Sequence, residues 1–279
     1  MPDARRVAFA VAAHPDDIEF MMAGTLILLK RAGYETHYLN IANGSCGTAA
    51  LPKQEIVSVR QREARAAAKR MGALFHPSFV DDIAIFYEKE LLARVGAVVR
   101  EVNPSIMLVP SPQDYMEDHV NAGRLAVTAA FCRGMRNFPT VPKTRPAEGE
   151  VTLYHAMPAG LRDPLRRRVA PEYYVDISSV LAQKREALAE HRSQKEWLDV
   201  SQGVDAYLTT MEGQAAQVGE MCGRFRYAEG WRRHSHLGFC AEDADPLVEG
   251  LGKLVLINDD YRRSLDGPIS AKAKARRGR

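Results

Sequence analysis

Through the first half of the chain, short uninterrupted apolar runs alternate with longer segments whose apolar positions recur at helical spacing. Val7–Ala13, Tyr38–Ala42, Leu74–Val80 and Ile106–Val109 are brief, apolar and bounded by Gly, Pro, Asp or Asn, the pattern of buried strands. Between them, Ile18–Arg31, Gln54–Met71 and Lys89–Val102 read as helices. In the second of these, Ala64, Ala67, Ala68 and Met71 form one apolar face among Arg, Lys and Glu. Strands that alternate with helices predict βαβ units, hence an α/β fold with a mostly parallel sheet and helices on both faces.

The second half is less regular. Val151–Ala156 and Tyr173–Ile177 read as later strands, separated by the Pro- and Arg-rich segment Pro158–Pro171. Asp176-Ile-Ser-Ser starts a helix expected to reach about His191, with Ser179 and Gln183 spaced near those of a capping box. Phe138–Gly149, rich in Pro and charge, reads as a surface loop. No boundary interrupts residues 1–267, which are expected to form one domain. Residues 268–279 read as a basic, disordered tail carrying Lys272, Lys274, Arg276, Arg277 and Arg279.

Composition narrows the class. Of 279 residues, 46% are hydrophobic and 26% charged, enough to bury a full core. The net charge of +3 is small and much of it lies in the tail, so nothing suggests a nucleic-acid surface. No apolar stretch approaches the roughly 20 residues of a membrane span, and Val7–Ala13 is too short for a secretory signal. The four cysteines (Cys46, Cys132, Cys222, Cys240) are scattered without a CxxC pair, which argues against a disulfide framework or a structural zinc site and for a cytoplasmic setting. Neither GxGxxG nor a Walker-type GxxxxGK[ST] is present.

The first strand ends in Ala13-His14-Pro15-Asp16-Asp17, immediately before a helix. Ligands of open parallel sheets bind beyond the carboxyl ends of the strands. His14 and Asp17 are spaced to converge on one cation, with Asp16 between them able to reach a water without joining the ligands. A second cluster, from Asp114 to His119, follows the fourth strand. Because the first and fourth strands of doubly wound sheets are often neighbours, His119 is expected beside His14 and Asp17. Two histidines, one carboxylate and an open position make the ligand set of a catalytic zinc site. The alternative is an ordinary strand-to-helix turn with Asp16 or Asp17 as N-cap.

These residues resemble those of the LmbE/PIG-L-like zinc de-N-acetylases. AHPDDIE, the Asp118-His119 pair before a helix, NGSCGT, Arg60-Gln-Arg-Glu63, Lys184 through His191-Arg-Ser-Gln194, and Tyr227-Ala-Glu-Gly-Trp231 all fall on family motifs, covering about residues 5–240. The resemblance implies a single Rossmann-like domain, Zn2+ as cofactor and de-N-acetylation of an N-acetylglucosamine-type sugar or glycoconjugate. It implies His14, Asp17 and His119 as metal ligands, Asp16 as general base and Arg60 as a substrate contact. A helix-surface salt bridge with Glu63 is the competing role for Arg60. Family members often assemble, so a homo-oligomer is in view. Alternatives on the same scaffold are a hydrolase of a non-sugar amide or ester, and a non-catalytic sugar-binding homologue.

One position departs from the pattern. Many members carry His-Pro-Asp-His, whose first histidine stabilises the oxyanion or protonates the leaving amine; here that position is Met116. Candidates to replace it are His191 first, then Tyr115, His155, His234 and His236. Arg162, Arg166, Arg167 and Arg168 form a basic loop that would suit an acidic sugar, or simply face solvent.

Overall fold

A computed structural model describes residues 6–195, 206–265 and Gly267, and the basic segment 268–279 lies outside them. The sheet is eight-stranded in the order β3-β2-β1-β4-β5-β7-β6-β8. Its strands are β1 (Val7–Ala12), β2 (Glu35–Asn40), β3 (Leu74–His76), β4 (Ile106–Val109), β5 (Thr152–Ala156), β6 (Tyr173–Asp176), β7 (Ala228–Arg233) and β8 (Val255–Ile257). Strands β3 to β5 in that order pair parallel, while β7, β6 and β8 add on antiparallel.

Every residue of β1 is buried, because the strand is covered on both faces. Alternation splits its side chains between two cores. Ala8, Ala10 and Ala12 pack with α1 (Asp17–Met21), α2 (Ala23–Arg31), α3 (Lys53–Met71) and α6 (Leu181–Leu188). Val7, Phe9 and Val11 face the other way, onto α4 (Lys89–Val102) and α5 (Glu117–Cys132). Further elements are α7 (Ala206–Cys222), α8 (Pro246–Leu251) and α9 (Asp259–Leu265). The α/β architecture and the parallel sheet with helices on both faces are as expected.

Strand β1 lies between β2 and β4. The chain winds outward through β2 and β3, then returns to the other side of β1 as β4. That reversal is the topological switch point, and the loops after β1 and β4 flank one crevice there.

Local expectations needed correction. The helix over Ile18–Arg31 is two helices, broken at Met22 with φ of −133°. The break gives α2 a new amino terminus, whose Gly24 and Thr25 N–H groups donate to the buried Glu229 carboxylate at 2.8 and 2.7 Å. The strand over Leu74–Val80 stops at His76, before Pro77, and resumes only as a single bridge between Ala42 and Val80. No capping box forms at α6: its N-cap is Val180, without a side-chain cap, and Gln183 donates to the Arg70 carbonyl instead.

Candidate metal centre and active-site pocket

The turn after β1 is held in an unusual backbone. Asp16 has φ of +108°, in the left-handed region that non-glycine residues seldom adopt. Asp17 then opens α1, and its Oδ2 accepts from the His14 backbone N–H at 2.8 Å. Across the crevice, His119 sits in the first turn of α5. Its Nε2 is 3.3 Å from Asp17 Oδ1, and the His14 and His119 rings are 5.4 Å apart. One donor atom from each of His14, Asp17 and His119 lies within 4.8 Å of the other two, a spacing that fits one metal ion.

The outer nitrogen of each histidine is held by a further carboxylate. His14 Nε2 is 2.9 Å from Asp118 Oδ2, and His119 Nδ1 is 2.9 Å from Asp114 Oδ1. Such bonds fix the ring orientation and leave the other nitrogen for a metal. Burial opposes charge on His14, yet Asp118 and Asp17 hold its pKa at about 10. His119 is likewise pushed up to about 11 against its burial by Asp17 and Asp114. Burial would raise the Asp17 carboxyl, but the facing His119 and His14 hold it well below the usual range. With Asp114 and Asp118 behind them, the two imidazoles are surrounded by three carboxylates, a local surplus of acidic side chains. A dication with two imidazoles and one carboxylate fits that surplus, and the nitrogen-rich donor set suits zinc-type metals better than calcium or magnesium.

Asp16 is placed as a neighbour of this group, not a member. Its Oδ2 accepts from the Tyr207 hydroxyl at 2.7 Å and lies 3.4 Å from Arg60 Nη2. Burial raises its pKa and the Arg60 guanidinium opposes the shift. Arg60 is itself buried, donating to Gln194 Oε1 and the Pro15 carbonyl. It runs beneath the loop of Gly44 and Gly47, where any side chain would collide with it. The Glu63 carboxylate accepts from the backbone and hydroxyl of Ser193 at 2.9 and 2.6 Å, so the helix-surface salt bridge with the buried Arg60 does not form.

These groups line a cavity of about 490 Å³. Its polar lining includes Asp16, Arg60, Gln194, Tyr207 and Gln214; its apolar lining includes Phe20, Met21, Ile83 and Met116, together with the ring of Tyr115. Tyr115 is 67% exposed and stands edge-on to the His119 ring at 5.8 Å.

The expected replacement for the histidine missing at Met116 is not found among the described residues. His191 is fully buried with Nε2 3.2 Å from Glu19 Oε1, and it does not line the cavity. His155 and His234 pair with each other at 2.9 Å in a separate cleft, and His236 is also absent from the cavity wall. The basic loop stays apart as well: Arg162 donates to the carbonyl of Arg166, and none of the four arginines lines the cavity. Sequence reasoning placed His14, Asp16, Asp17, Arg60, Tyr115 and His119 together, as the structure does. It missed the roles of Asp114 and Asp118, whose only signal was their proximity to His119. It missed Tyr207 entirely, for nothing local ties α7 to Asp16.

Residues 9–130 match the family described as PIG-L, GlcNAc-PI de-N-acetylase. The chain is also 30% identical over 242 residues to the diacetylchitobiose deacetylase of Thermococcus kodakarensis, covering 82% of this chain and 83% of that protein. It belongs to the PIG-L/LmbE family. Not every similar protein is a deacetylase: a 4-oxalmesaconate hydratase of Pseudomonas putida is 27% identical over 199 residues, covering 67% of this chain and 74% of the hydratase. The fold of this PIG-L/LmbE member is that of the N,N'-diacetylchitobiose deacetylase of Pyrococcus horikoshii, with a TM-score of 0.70, 24% identity, and coverage of 84% and 85% of the two chains. The 4-carboxy-2-hydroxymuconate hydratase of Pseudomonas putida shares it too, at a TM-score of 0.67, 24% identity, and coverage of 82% and 95%. No helix among the described residues is long and apolar enough to cross a membrane.

Proposed function

We propose that this protein is a zinc-dependent hydrolase that removes an acetyl or other acyl group from the amide nitrogen of an N-acetylglucosamine-type sugar or glycoconjugate. The observation that carries this reading is Asp16: a half-buried carboxylate beside the His14, Asp17 and His119 group, with Oδ2 held by Tyr207 and Arg60. A binding module needs metal ligands but has no use for such a base.

Zinc held by His14, Asp17 and His119 would supply Lewis-acid activation of water and of the amide carbonyl. Asp16 accepts the proton of the attacking water at Oδ1, since Oδ2 is already occupied, and returns it to the departing amine. Tyr207 and Arg60 fix the carboxylate for that task. Tyr115, at the rim beside His119, contacts the substrate. With methionine at position 116, proton return falls to Asp16 alone.

Hydration of an unsaturated acid is the second reading. It is favoured by the hydratase relative and by Met116, because adding water across a double bond creates no leaving amine that needs a proton.

The test is acetate release from N-acetylglucosamine, diacetylchitobiose and simple N-acetyl amines by the zinc-loaded protein. His14→Ala and His119→Ala should lose most of the metal, whereas Asp16→Asn should keep it while the rate falls by about 10²-fold or more. Loss of absorbance from an unsaturated dicarboxylate, without acetate release from any amide, would instead establish the hydratase reading.

A further inference from the structure

Ile83 occupies a backbone conformation that its side chain disfavours. Its φ is +63°, in the left-handed region where a β-branched residue is a rare outlier. The conformation is locked from both sides. Asp82 accepts from the Gly44 and Cys46 N–H groups at 2.7 and 2.8 Å, and the Ile83 N–H donates to Asp118 Oδ2 at 2.7 Å. Only the last of these bonds involves Ile83, and it uses the backbone N–H, so glycine would serve it with less strain. Nor does the core use the side chain, which is 61% exposed. It lines the cavity, tied through Asp118 Oδ2 to His14, while Tyr115, likewise exposed, lines it against the His119 ring. An outlier held in place at a cavity mouth, and not required by packing, points to a task toward a ligand.

We propose that Ile83 and Tyr115 form an apolar clamp across the cavity mouth, and that the substrate carries a hydrophobic aglycone beside its acylamino group. This rests on the deacylation reading above and adds to it the class of substrate. The polar lining residues receive the acylamino sugar, with Asp16 facing the reacting bond. The aglycone leaves the cavity between the two exposed apolar side chains and buries their surface. Ile83 is then a specificity-determining residue and takes no part in the chemistry.

The experiment compares two product-like probes, glucosamine and its 4-nitrophenyl glycoside, by calorimetric titration of the zinc-loaded full chain. The aryl glycoside should bind about tenfold more tightly than glucosamine, the scale expected from burying one ring against two apolar side chains. In Ile83→Gly and in Tyr115→Ala that ratio should fall at least about threefold. Zinc content and melting temperature serve as controls, and Ile83→Gly should melt no lower than the parent because glycine relieves the positive φ. Equal binding of the two probes by the parent, or an unchanged ratio in both variants, would overturn the clamp. Acetate release is scored separately: its absence from every N-acetyl sugar, with the binding ratio intact, overturns the deacylation reading and leaves the clamp standing.

Discussion

Asp118 Oδ2 lies 2.9 Å from His14 Nε2, and the same oxygen accepts the Ile83 N–H at 2.7 Å. Asp114 repeats the arrangement on the other side: Oδ1 meets His119 Nδ1 at 2.9 Å, and Oδ2 accepts the Ala159 N–H at 3.0 Å. Each of the two histidines is thus oriented by a carboxylate that also ties down one loop of the cavity. The first prediction follows from this link. Asp118→Asn should weaken zinc binding by about 10- to 100-fold, the range for losing a carboxylate behind a ligating histidine. Competition against a calibrated chelator measures it, and parental affinity in the variant would show that Asp118 does not orient His14.

Tyr207 touches Asp16, the proposed base, and lines the cavity. Its hydroxyl donates to Asp16 Oδ2, and its ring meets Phe20 edge-on at 5.1 Å. Tyr207→Phe keeps the ring contact and removes only the hydroxyl. Zinc content and KM should therefore hold while kcat drops about tenfold, since misorienting a base costs rate without removing a substrate contact. A rise in KM at constant kcat would place the hydroxyl on the substrate instead.

Behind the site, Lys184 and Glu229 form a buried ion pair at 2.6 Å, joined by the N–H groups of Gly24 and Thr25 and the carbonyl of Phe20. Removing one partner strands the other charge in the interior. Lys184→Met should cost about 3–5 kcal/mol of stability, read from denaturant unfolding. Lys184→Met combined with Glu229→Gln should recover part of that loss; a double variant less stable than the sum of the single ones would contradict the pairing.

Part of the acid sensitivity should come from His155. Its Nδ1 faces the Pro110 carbonyl at 2.8 Å, which can only accept, so this nitrogen carries the proton and Nε2 accepts from His234. Burial, with His234 and Arg232 nearby, pushes the His155 pKa down to about 4. The unfolded chain takes up a proton near pH 6.5 and the folded chain does not, so stability is complete above pH 6.5 and declines as pH falls toward 4. The decline attributable to this group is about 3 kcal/mol at most. Unfolding of the zinc-loaded protein between pH 7 and 4.5 should show it, and His155→Asn should flatten the slope in that window. An equal slope in both proteins would locate the sensitivity elsewhere.

The sequence by itself determined the parallel half of the sheet and the clustering of His14, Asp17 and His119. Buried parallel strands need continuous apolar runs, so β1 and β4 stand out, and the loops that follow them must meet at the switch point. His14, Asp16, Asp17 and His119 sit on those two loops, and local spacing was enough to join them. Tertiary structure decided what spacing does not encode. Helix α2 begins at Ala23 because Glu229, on a strand 205 residues away from Gly24, supplies the carboxylate for its free N–H groups. Tyr207 reaches Asp16 from a helix whose pattern speaks only of burial. His191 shares a motif with the family, yet packing turns it inward to Glu19, so among the described residues no histidine takes the place left by Met116. Each of these depends on which face of a distant element meets the crevice, and that is fixed by how the layers close on one another.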